Sequence, residues 1–132
     1  MSSLNLKIQE IKRVDFQSYI KTKRDSVVWF YWHLNSNLNN FKTYKIIDQN
    51  QIIGVLCIEK SIPPFVDIYI DKEYRRQGYG SSIINYITLN YGKVKFKVNL
   101  NNKNSIDFFE KLLTQNIINY KQVERNYIEY YS

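Results

Sequence analysis

Residues 66 to 84 read VDIYIDKEYRRQGYGSSII: an apolar run, a charged turn that contains two glycines, and then isoleucines at helical spacing. The apolar run predicts a strand, and the isoleucines predict an amphipathic helix that starts directly after the turn. A helix N-terminus carries unpaired backbone N–H groups and a partial positive charge, which together attract phosphate oxygens. We therefore predict that residues 67 to 82 form a strand, a turn and a helix start that bind the pyrophosphate of a nucleotide-type cofactor.

The turn itself contains groups that suit an anion. Gly78 and Gly80 have no Cβ, so the backbone can come close to phosphate oxygens and adopt positive φ angles where these are needed. Arg75 and Arg76 add cationic donors. A strand-to-helix loop without a ligand can contain the same residues, with its arginines in solvent. The location between a strand and a helix favours the phosphate site over that alternative.

The segments after the turn continue this pattern. The helix should end at Gly92, and residues 93 to 100 alternate apolar residues with polar ones as a strand does. A strand, a helix and a strand in succession form a crossover unit with parallel strands, and ligands bind at the carboxyl ends of such strands. A second helix is predicted for residues 105 to 113, with Asn104 as its N-cap. Its buried stripe would consist of Ile106, Phe109 and Leu113.

The rest of the chain is predicted to contain several strands and one helix. Residues 4 to 12 nearly alternate, so they predict a strand, and Asp15 can cap a helix that runs to Lys23. Residues 44 to 48 and 52 to 59 predict an antiparallel hairpin. The tail, rich in tyrosine and isoleucine, predicts one or two closing strands, which can form the edge of a homodimer or line the pocket of a monomer.

Length and composition restrict the possible classes of protein. A chain of 132 residues with 16% aromatic residues predicts one packed domain over residues 1 to 132. No segment reaches the roughly 20 apolar residues of a membrane span, and the N-terminus lacks a signal-peptide core, so we expect a cytoplasmic protein without a membrane partner. Because Cys57 is the only cysteine and His33 the only histidine, we expect no metal site and a buried Cys57. The net charge of +7 suits an anionic ligand, while the scatter of basic residues argues against a nucleic-acid partner.

Two short motifs resemble those of the Gcn5-related N-acetyltransferases, the GNAT family. RRQGYG at residues 75 to 80 is similar to the family signature Arg/Gln-x-x-Gly-x-Gly/Ala. Further along the chain, the positions at which family members commonly have Asn, Ala, Tyr and Glu are occupied by Asn102, Ser105, Phe109 and Glu110. The resemblance covers residues 52 to 113. It implies an α+β fold with a mixed, mostly antiparallel sheet of six or seven strands, flanked by about four helices.

The resemblance also implies a cofactor, acetyl-coenzyme A or another acyl-coenzyme A. It would bind in a V-shaped gap where the fourth and fifth strands separate. The backbone of the fourth strand would pair with the pantetheine arm, the amides of residues 76 to 81 would hold the pyrophosphate, and Asn102 would lie near the other end. The expected coenzyme-binding residues are Ile68, Tyr69, Ile70, Arg75, Arg76, Gln77, Gly78, Tyr79, Gly80, Ser81, Asn102, Ser105 and Phe109.

The activity implied by the resemblance is direct transfer of an acetyl group to an amine of a small molecule, peptide or protein. Direct transfer needs a neutral amine, a donor to the developing oxyanion and a proton for the departing thiolate. The family often takes that proton from the tyrosine that Phe109 replaces here, and phenylalanine has none to give. Tyr69, Tyr120 and Tyr127 are candidate replacements, and each can equally be a core or surface tyrosine.

Asp67 is the candidate general base. It is the carboxylate within the fourth strand, where several family members have an acid that works through water. Strand alternation places it on the face opposite Ile68. The alternative is an exposed strand carboxylate paired with a lysine.

The region before residue 41 is where family members build the pocket for the acceptor. Trp29, Trp32 and His33 are therefore candidate substrate-binding residues, and they can also be core aromatics that cover the sheet. A second interpretation of the whole chain is a catalytically silent member that binds acyl-coenzyme A and regulates a protein partner. Phe109 suggests this silent interpretation, and so does Leu113, which stands where the family motif commonly has glycine. A nucleic-acid binder that uses the basic surface is a third interpretation.

Overall fold

The computed structural model describes residues 6–23, 41–75 and 77–132 of the chain. These residues form seven strands and three α-helices, with one 3₁₀ turn before the second α-helix. In chain order they are β1 (Leu6–Ile11), α1 (Arg13–Lys21), β2 (Phe41–Asp48), β3 (Gln51–Glu59), β4 (Phe65–Ile70), the 3₁₀ turn (Lys72–Tyr74), α2 (Tyr79–Tyr91), β5 (Lys95–Asn99), α3 (Lys103–Thr114), β6 (Tyr120–Val123) and β7 (Tyr127–Tyr131).

The strands form one sheet in the order β1-β2-β3-β4-β5-β7-β6. β4 and β5 are parallel, and the other neighbouring strands are antiparallel. This confirms the predicted α+β class and the mixed, mostly antiparallel sheet, and the three α-helices of the described residues come close to the expected four. None of the helices within those residues is long and apolar enough to cross a membrane.

The predicted hairpin is confirmed as β2 and β3, both of which extend beyond their predicted bounds. Gln49 and Asn50 form its two-residue turn, with φ angles of 51° and 64°. Positive φ at both turn residues is what a tight hairpin requires, and asparagine tolerates it better than most residues. Asp48 pairs with Gln51 as the last pair before the turn.

Gly54 in β3 lets β4 approach closely. The register between β2 and β3 shifts at a bulge between Ile46 and Ile47, opposite Gly54. A Cβ placed on Gly54 would lie 2.2 Å from the backbone oxygen of Tyr69 in β4, closer than any side chain allows. The sequence gives no motif for this glycine, because the conflict is with a strand that is distant along the chain.

The two faces of the sheet carry different cores. One face packs against α2 and α3 around Val66, Phe96 and Tyr130. The other carries a smaller cluster, which consists of Phe16, Ile20, Val55, Cys57 and Tyr69 and lies under α1. The predicted burial of Cys57 is confirmed, and the raised pKa of its thiol follows chiefly from burial.

The predicted starts of two helices are wrong. α1 begins at Arg13 and ends at Lys21, and Asp15 lies in its first turn instead of capping it, where its charge still favours the positive helix end. α3 begins at Lys103, because the side chain of Asn102 accepts a hydrogen bond from the Ser105 N–H at 3.2 Å. The predicted cap of α3, Asn104, therefore lies inside the helix.

The buried face of α3 differs from the predicted one. Phe109 is buried as predicted, but Leu112 takes the place expected for Leu113, and Leu113 and Ile106 are only partly buried.

The stop of α2 at Gly92 is confirmed, since Gly92 has a φ of 71° and its N–H bonds to the Thr88 carbonyl.

Candidate functional site

The site begins where β4 and β5 separate. Within the described residues these strands pair only at Phe65 with Lys95 and at Val66 with Phe96. On its other side β4 stays paired with β3 as far as Ile70. The carboxyl half of β4 therefore has a neighbour on one side and borders a gap on the other.

Two hydrogen bonds define which backbone groups of β4 face this gap. The Lys95 N–H donates to the Pro64 carbonyl on the β5 side, and the Asp71 N–H donates to the Ile53 carbonyl on the β3 side. Because backbone groups alternate in direction along a strand, those of Ile68 and Ile70 point to the gap. The backbone of Tyr69 points to β3 instead, so backbone pairing with a ligand falls to Ile68 and Ile70.

Arg75 closes the end of β4. Its Nε donates to the Ile70 carbonyl at 2.8 Å, and its guanidinium carbon lies 5.3 Å from the centre of the Tyr69 ring. The side chain thus folds back over the strand end. Gln77 is also engaged locally, because its Nε2 donates to the Glu73 carbonyl at 3.0 Å.

The first turn of α2 presents backbone donors that no side chain caps. Gly78 is the N-cap residue, with a φ of 83° and no side-chain hydrogen bond. The Ser82 N–H donates to the Gly78 carbonyl at 3.3 Å. The N–H groups of Tyr79, Gly80 and Ser81 lie before Ser82 in the chain, in the first turn, where the helix itself offers them no acceptor. Apart from its chain neighbours, no described residue has an atom within 4 Å of the place where a Cβ of Gly78 would be, so the approach to these donors is open on that side. The positive φ explains why glycine stands there.

Gly80 has a packing role that the sequence did not indicate. A Cβ placed on Gly80 would lie 2.9 Å from the ring of Phe108 in α3. The missing side chain therefore lets α2 approach α3, while the Gly80 N–H remains in the first turn.

Asp67 lies on the α1 face, opposite Ile68, as strand alternation predicted. The predicted alternative of an exposed carboxylate is wrong, since Asp67 is 6% exposed. Its register partner on β3 is Cys57, whose pKa the charge of Asp67 raises further. Asp67 is the first residue of β4 after the last pair with β5. It therefore lies at the vertex of the gap, on the side away from α2 and α3.

Tyr127 and Tyr120 lie at different distances from the gap along the sheet. Tyr127 begins β7 and pairs with Asn99 of β5, and the Nζ of Lys97 lies 4.5 Å from the centre of its ring. Tyr120 belongs to β6, on the far side of β7, where it is 56% exposed and stacks on Tyr131. The structure thus brings Tyr127, and not Tyr120, to the strand that borders the gap.

Phe109 lies at the vertex of the gap on the opposite face. Its ring centre is 5.1 Å from that of Phe96, which pairs with Val66 at the last contact between β4 and β5. It also stacks on Tyr130 at 5.0 Å. The Tyr130 hydroxyl donates to Oε2 of Glu110 at 2.8 Å, and burial and this bond raise the pKa of Tyr130. Tyr130 is therefore a poor proton donor to the gap.

Asn102 and Ser105 hold the start of α3 just beyond β5. The side-chain Oδ1 of Asn102 accepts from the Ser105 N–H, and the Asn102 N–H donates to the Asn99 carbonyl at 2.9 Å. The other predicted site residues, Trp29, Trp32, His33 and Arg76, lie outside the described residues.

A buried carboxylate at the end of β4 ties α1 to this region. Asp71 accepts a hydrogen bond from the Tyr19 hydroxyl at 2.5 Å and lies 3.2 Å from the Nζ of Lys23. Burial and this hydrogen bond raise the pKa of Tyr19. The sequence did not indicate this contact, because it joins residues 52 positions apart.

Glu110 is expected to make stability depend on acid pH. Hydrogen bonds from Lys121 and Tyr130 lower its pKa from the ordinary 4.5. The folded protein then binds fewer protons than the unfolded chain, so the contribution of Glu110 is complete above pH 4.5 and is lost as pH falls through its folded pKa. Thermal melts between about pH 6 and pH 3 should show a shallower acid decline for Glu110→Gln than for the wild type.

The control for that experiment is Glu10→Gln. Glu10 lies 3.9 Å from Lys42, and both side chains are more than half exposed. Such an exposed pair contributes little, so this variant should follow the wild-type pH dependence. An equally steep acid decline in Glu110→Gln would contradict the assignment.

Known proteins resemble the chain in sequence and in fold. A family model of the acetyltransferase (GNAT) domain matches residues 39–112. The N-acetyltransferase PseH of Campylobacter jejuni, solved in complex with acetyl coenzyme A, superposes with a TM-score of 0.63 at 18% identity over 96% of this chain and 97% of that chain. The dodecameric spermidine N-acetyltransferase of Vibrio cholerae has a TM-score of 0.63 at 16% identity, over 96% and 92%.

A domain from Methanocaldococcus jannaschii is similar over 98% of this chain and 99% of its own, with a TM-score of 0.59 and 16% identity. No curated protein sequence matches the chain significantly. At these identities the likeness to the solved structures concerns the fold.

Proposed function

Because the chain belongs to the GNAT acetyltransferase family, we propose that it is an N-acetyltransferase that moves an acetyl group from acetyl-coenzyme A directly to an amine. The observation that carries the proposal is the gap between β4 and β5, next to the uncapped first turn of α2. An extended edge and a set of N–H donors at one end of the sheet suit a ligand with an amide-containing arm and a diphosphate. The acetyl-coenzyme A bound by PseH supports the choice of cofactor.

In this proposal different residues at the gap bind different parts of the coenzyme. The backbone groups of Ile68 and the N–H of Ile70 pair with the pantetheine arm, as an added strand would, while the Ile70 carbonyl is engaged by Arg75. The N–H groups of Tyr79, Gly80 and Ser81 hold the diphosphate, and the open space at Gly78 admits its oxygens. The thioester would then lie near Asp67 and Phe109, at the vertex of the gap.

The proposed reaction forms one C–N bond and breaks one C–S bond. The amine must lose a proton as it attacks the thioester carbonyl, and the thiolate must gain one as it departs. We assign the first proton to Asp67, acting through water on the α1 face. A backbone N–H of the strand edge is suited to donate to the developing oxyanion.

The thiolate lacks the usual tyrosine acid. Phe109 carries no exchangeable proton, and the hydroxyl of Tyr130 is engaged with Glu110. Tyr127 is our candidate acid, because it pairs with the carboxyl end of β5. Burial and Glu129 raise its pKa, so it keeps its proton at neutral pH.

A catalytically silent acyl-coenzyme A binder is the second candidate function. The aromatic stack around Phe109 favours it, since the position next to the proposed thioester is filled by Phe96, Phe108, Phe109 and Tyr130 instead of a proton donor. Such a protein would bind the coenzyme and regulate a partner without releasing thiol.

Calorimetric titration of the purified protein with acetyl-coenzyme A tests the proposal. We expect saturable binding with a dissociation constant in the range of about 1 μM to 1 mM, as for enzymes that work near substrate levels. Absence of binding at millimolar ligand would end the proposal. A thiol-release assay over amines, peptides and aminoglycosides then separates the two functions, because turnover with any acceptor rules out the silent one.

A further inference from the structure

Two tyrosines flank the turn between β4 and α2, and both bond to the same hairpin. The Tyr79 hydroxyl donates to Oδ2 of Asp48 at 2.5 Å, and the Tyr74 hydroxyl donates to Oε1 of Gln51 at 2.8 Å. Asp48 and Gln51 are the pair that closes the turn between β2 and β3. The rings of Tyr74 and Tyr79 also meet edge to face, with centres 6.4 Å apart. We call these four residues the tyrosine bracket.

The bond between Tyr79 and Asp48 is the stronger half of the bracket. Asp48 is 6% exposed and Tyr79 is 9% exposed, so the contact is shielded from water. A hydrogen bond to a carboxylate in such surroundings is short and stronger than a neutral one. It also raises the pKa of Tyr79, which keeps the hydroxyl protonated as a donor.

Aspartate is an unusual residue at the buried position 48. Its other oxygen, Oδ1, is buried and has no hydrogen-bond partner among the described residues. A buried carboxylate oxygen without a partner is costly, and an apolar residue there would avoid that cost. The arrangement therefore suggests a role for the carboxylate that hydrophobic packing does not fill.

The place of Tyr79 in α2 indicates that role. Tyr79 is the first residue of the helix, directly after Gly78 with its positive φ. A glycine in an open position leaves the direction of the helix start poorly restrained. A buried side chain at the next residue, bonded to a hairpin 31 positions away, restrains it.

We propose that Asp48, acting through Tyr79, is a positioning residue that holds the first-turn N–H groups of α2 in the orientation that binds a diphosphate. The inference rests on the proposed function, because it assumes that a diphosphate binds there. Asp48 itself contacts no ligand in this scheme. Affinity is gained because the donors are already oriented before the coenzyme arrives.

The test compares Tyr79→Phe with a variant that loses stability for another reason. Tyr79→Phe removes the hydroxyl and keeps the ring, and we expect the dissociation constant of acetyl-coenzyme A, measured by calorimetry, to rise about tenfold. Asp48→Asn leaves only an uncharged, weaker acceptor for the hydroxyl, so its dissociation constant should rise about threefold, between the wild type and Tyr79→Phe. Ile87→Val, a buried change in the same helix, should lower the melting temperature without weakening coenzyme binding.

Each outcome separates the inference from the proposed function. Failure of the wild type to bind acetyl-coenzyme A overturns both. If the wild type binds, unchanged affinity in Tyr79→Phe overturns the inference alone, and so does an equal loss of affinity in Tyr79→Phe and Ile87→Val. Should Tyr79→Phe not fold, Asp48→Asn applies the same test from the acceptor side of the bond, and an unchanged dissociation constant in that variant would overturn the inference.

Discussion

Replacing Asp67 with asparagine is expected to lower the turnover number of acetyl transfer about 100-fold, since a positioned general base contributes that order of rate. Asparagine has nearly the same size as aspartate, so the packing beside Cys57 and the affinity for acetyl-coenzyme A should be retained. The measurement is thiol release at saturating acetyl-coenzyme A, with the acceptor that the panel identifies. Calorimetry of the same variant checks coenzyme binding.

The pH dependence of Asp67→Asn distinguishes a lost base from a damaged fold. As pH rises towards the pKa of the acceptor amine, solution supplies more neutral amine, so the deficit of the variant should shrink. A deficit that stays constant with pH would point to structural damage. Unchanged turnover would show that the base lies elsewhere.

The control for Asp67→Asn is Glu59→Gln. Glu59 lies on the neighbouring strand β3 and pairs with Phe65, two residues before Asp67. Its replacement removes one negative charge from the same face without touching the proposed base. Turnover should then remain within about threefold of the wild type, because a single partly exposed charge away from the proposed base contributes little.

Gly54→Ala is expected to destabilise the protein by about 3 kcal/mol, near the upper end of the usual cost of overpacking. The added methyl group would lie 2.2 Å from the backbone oxygen of Tyr69, which cannot rotate away as a side chain can. β3 and β4 would have to move apart, and that movement would disturb Ile68 and Ile70 at the gap. Urea unfolding of the two proteins measures the difference in the free energy of unfolding.

Gly78→Ala provides the comparison for Gly54→Ala. A Cβ at Gly78 would meet no atom of the described residues within 4 Å beyond its chain neighbours, and the φ of 83° is what opposes a side chain there. The expected loss is therefore about 1 kcal/mol, the usual cost of a left-handed residue. Equal losses of unfolding free energy in Gly54→Ala and Gly78→Ala would mean that the close contact with β4 does not explain why glycine stands at position 54.

Local patterns were sufficient for most elements of the fold. Alternation along β4 placed Asp67 and Ile68 on opposite faces, and the glycine after α2 ended that helix as predicted. The turn before α2 was predicted because its two glycines lie directly before isoleucines at helical spacing. The cap of α3 was misplaced because Asn102 and Asn104 are both capable caps, and only the bond from Ser105 selects between them.

Other features depend on residues that are distant along the chain. Tyr79 has no sequence property that links it to Asp48, and an aspartate before a hairpin turn is ordinary. Gly80 was interpreted as a residue that admits phosphate, but its missing Cβ also makes room for Phe108 of α3. The burial of Asp67 likewise depends on how α1 covers the sheet.

The sequence alone determined the order of the strands and helices and the turn proposed to hold a diphosphate, because these follow from the spacing of neighbouring residues, and the resemblance of its motifs to a known family implied the α+β class. The tertiary structure decided where β4 and β5 separate, which backbone groups face the gap and which hairpin restrains α2. Those features arise from contacts between elements 20 to 50 residues apart, such as the bond that joins Tyr79 to Asp48 over 31 positions. Spacing within one element carries no information about them.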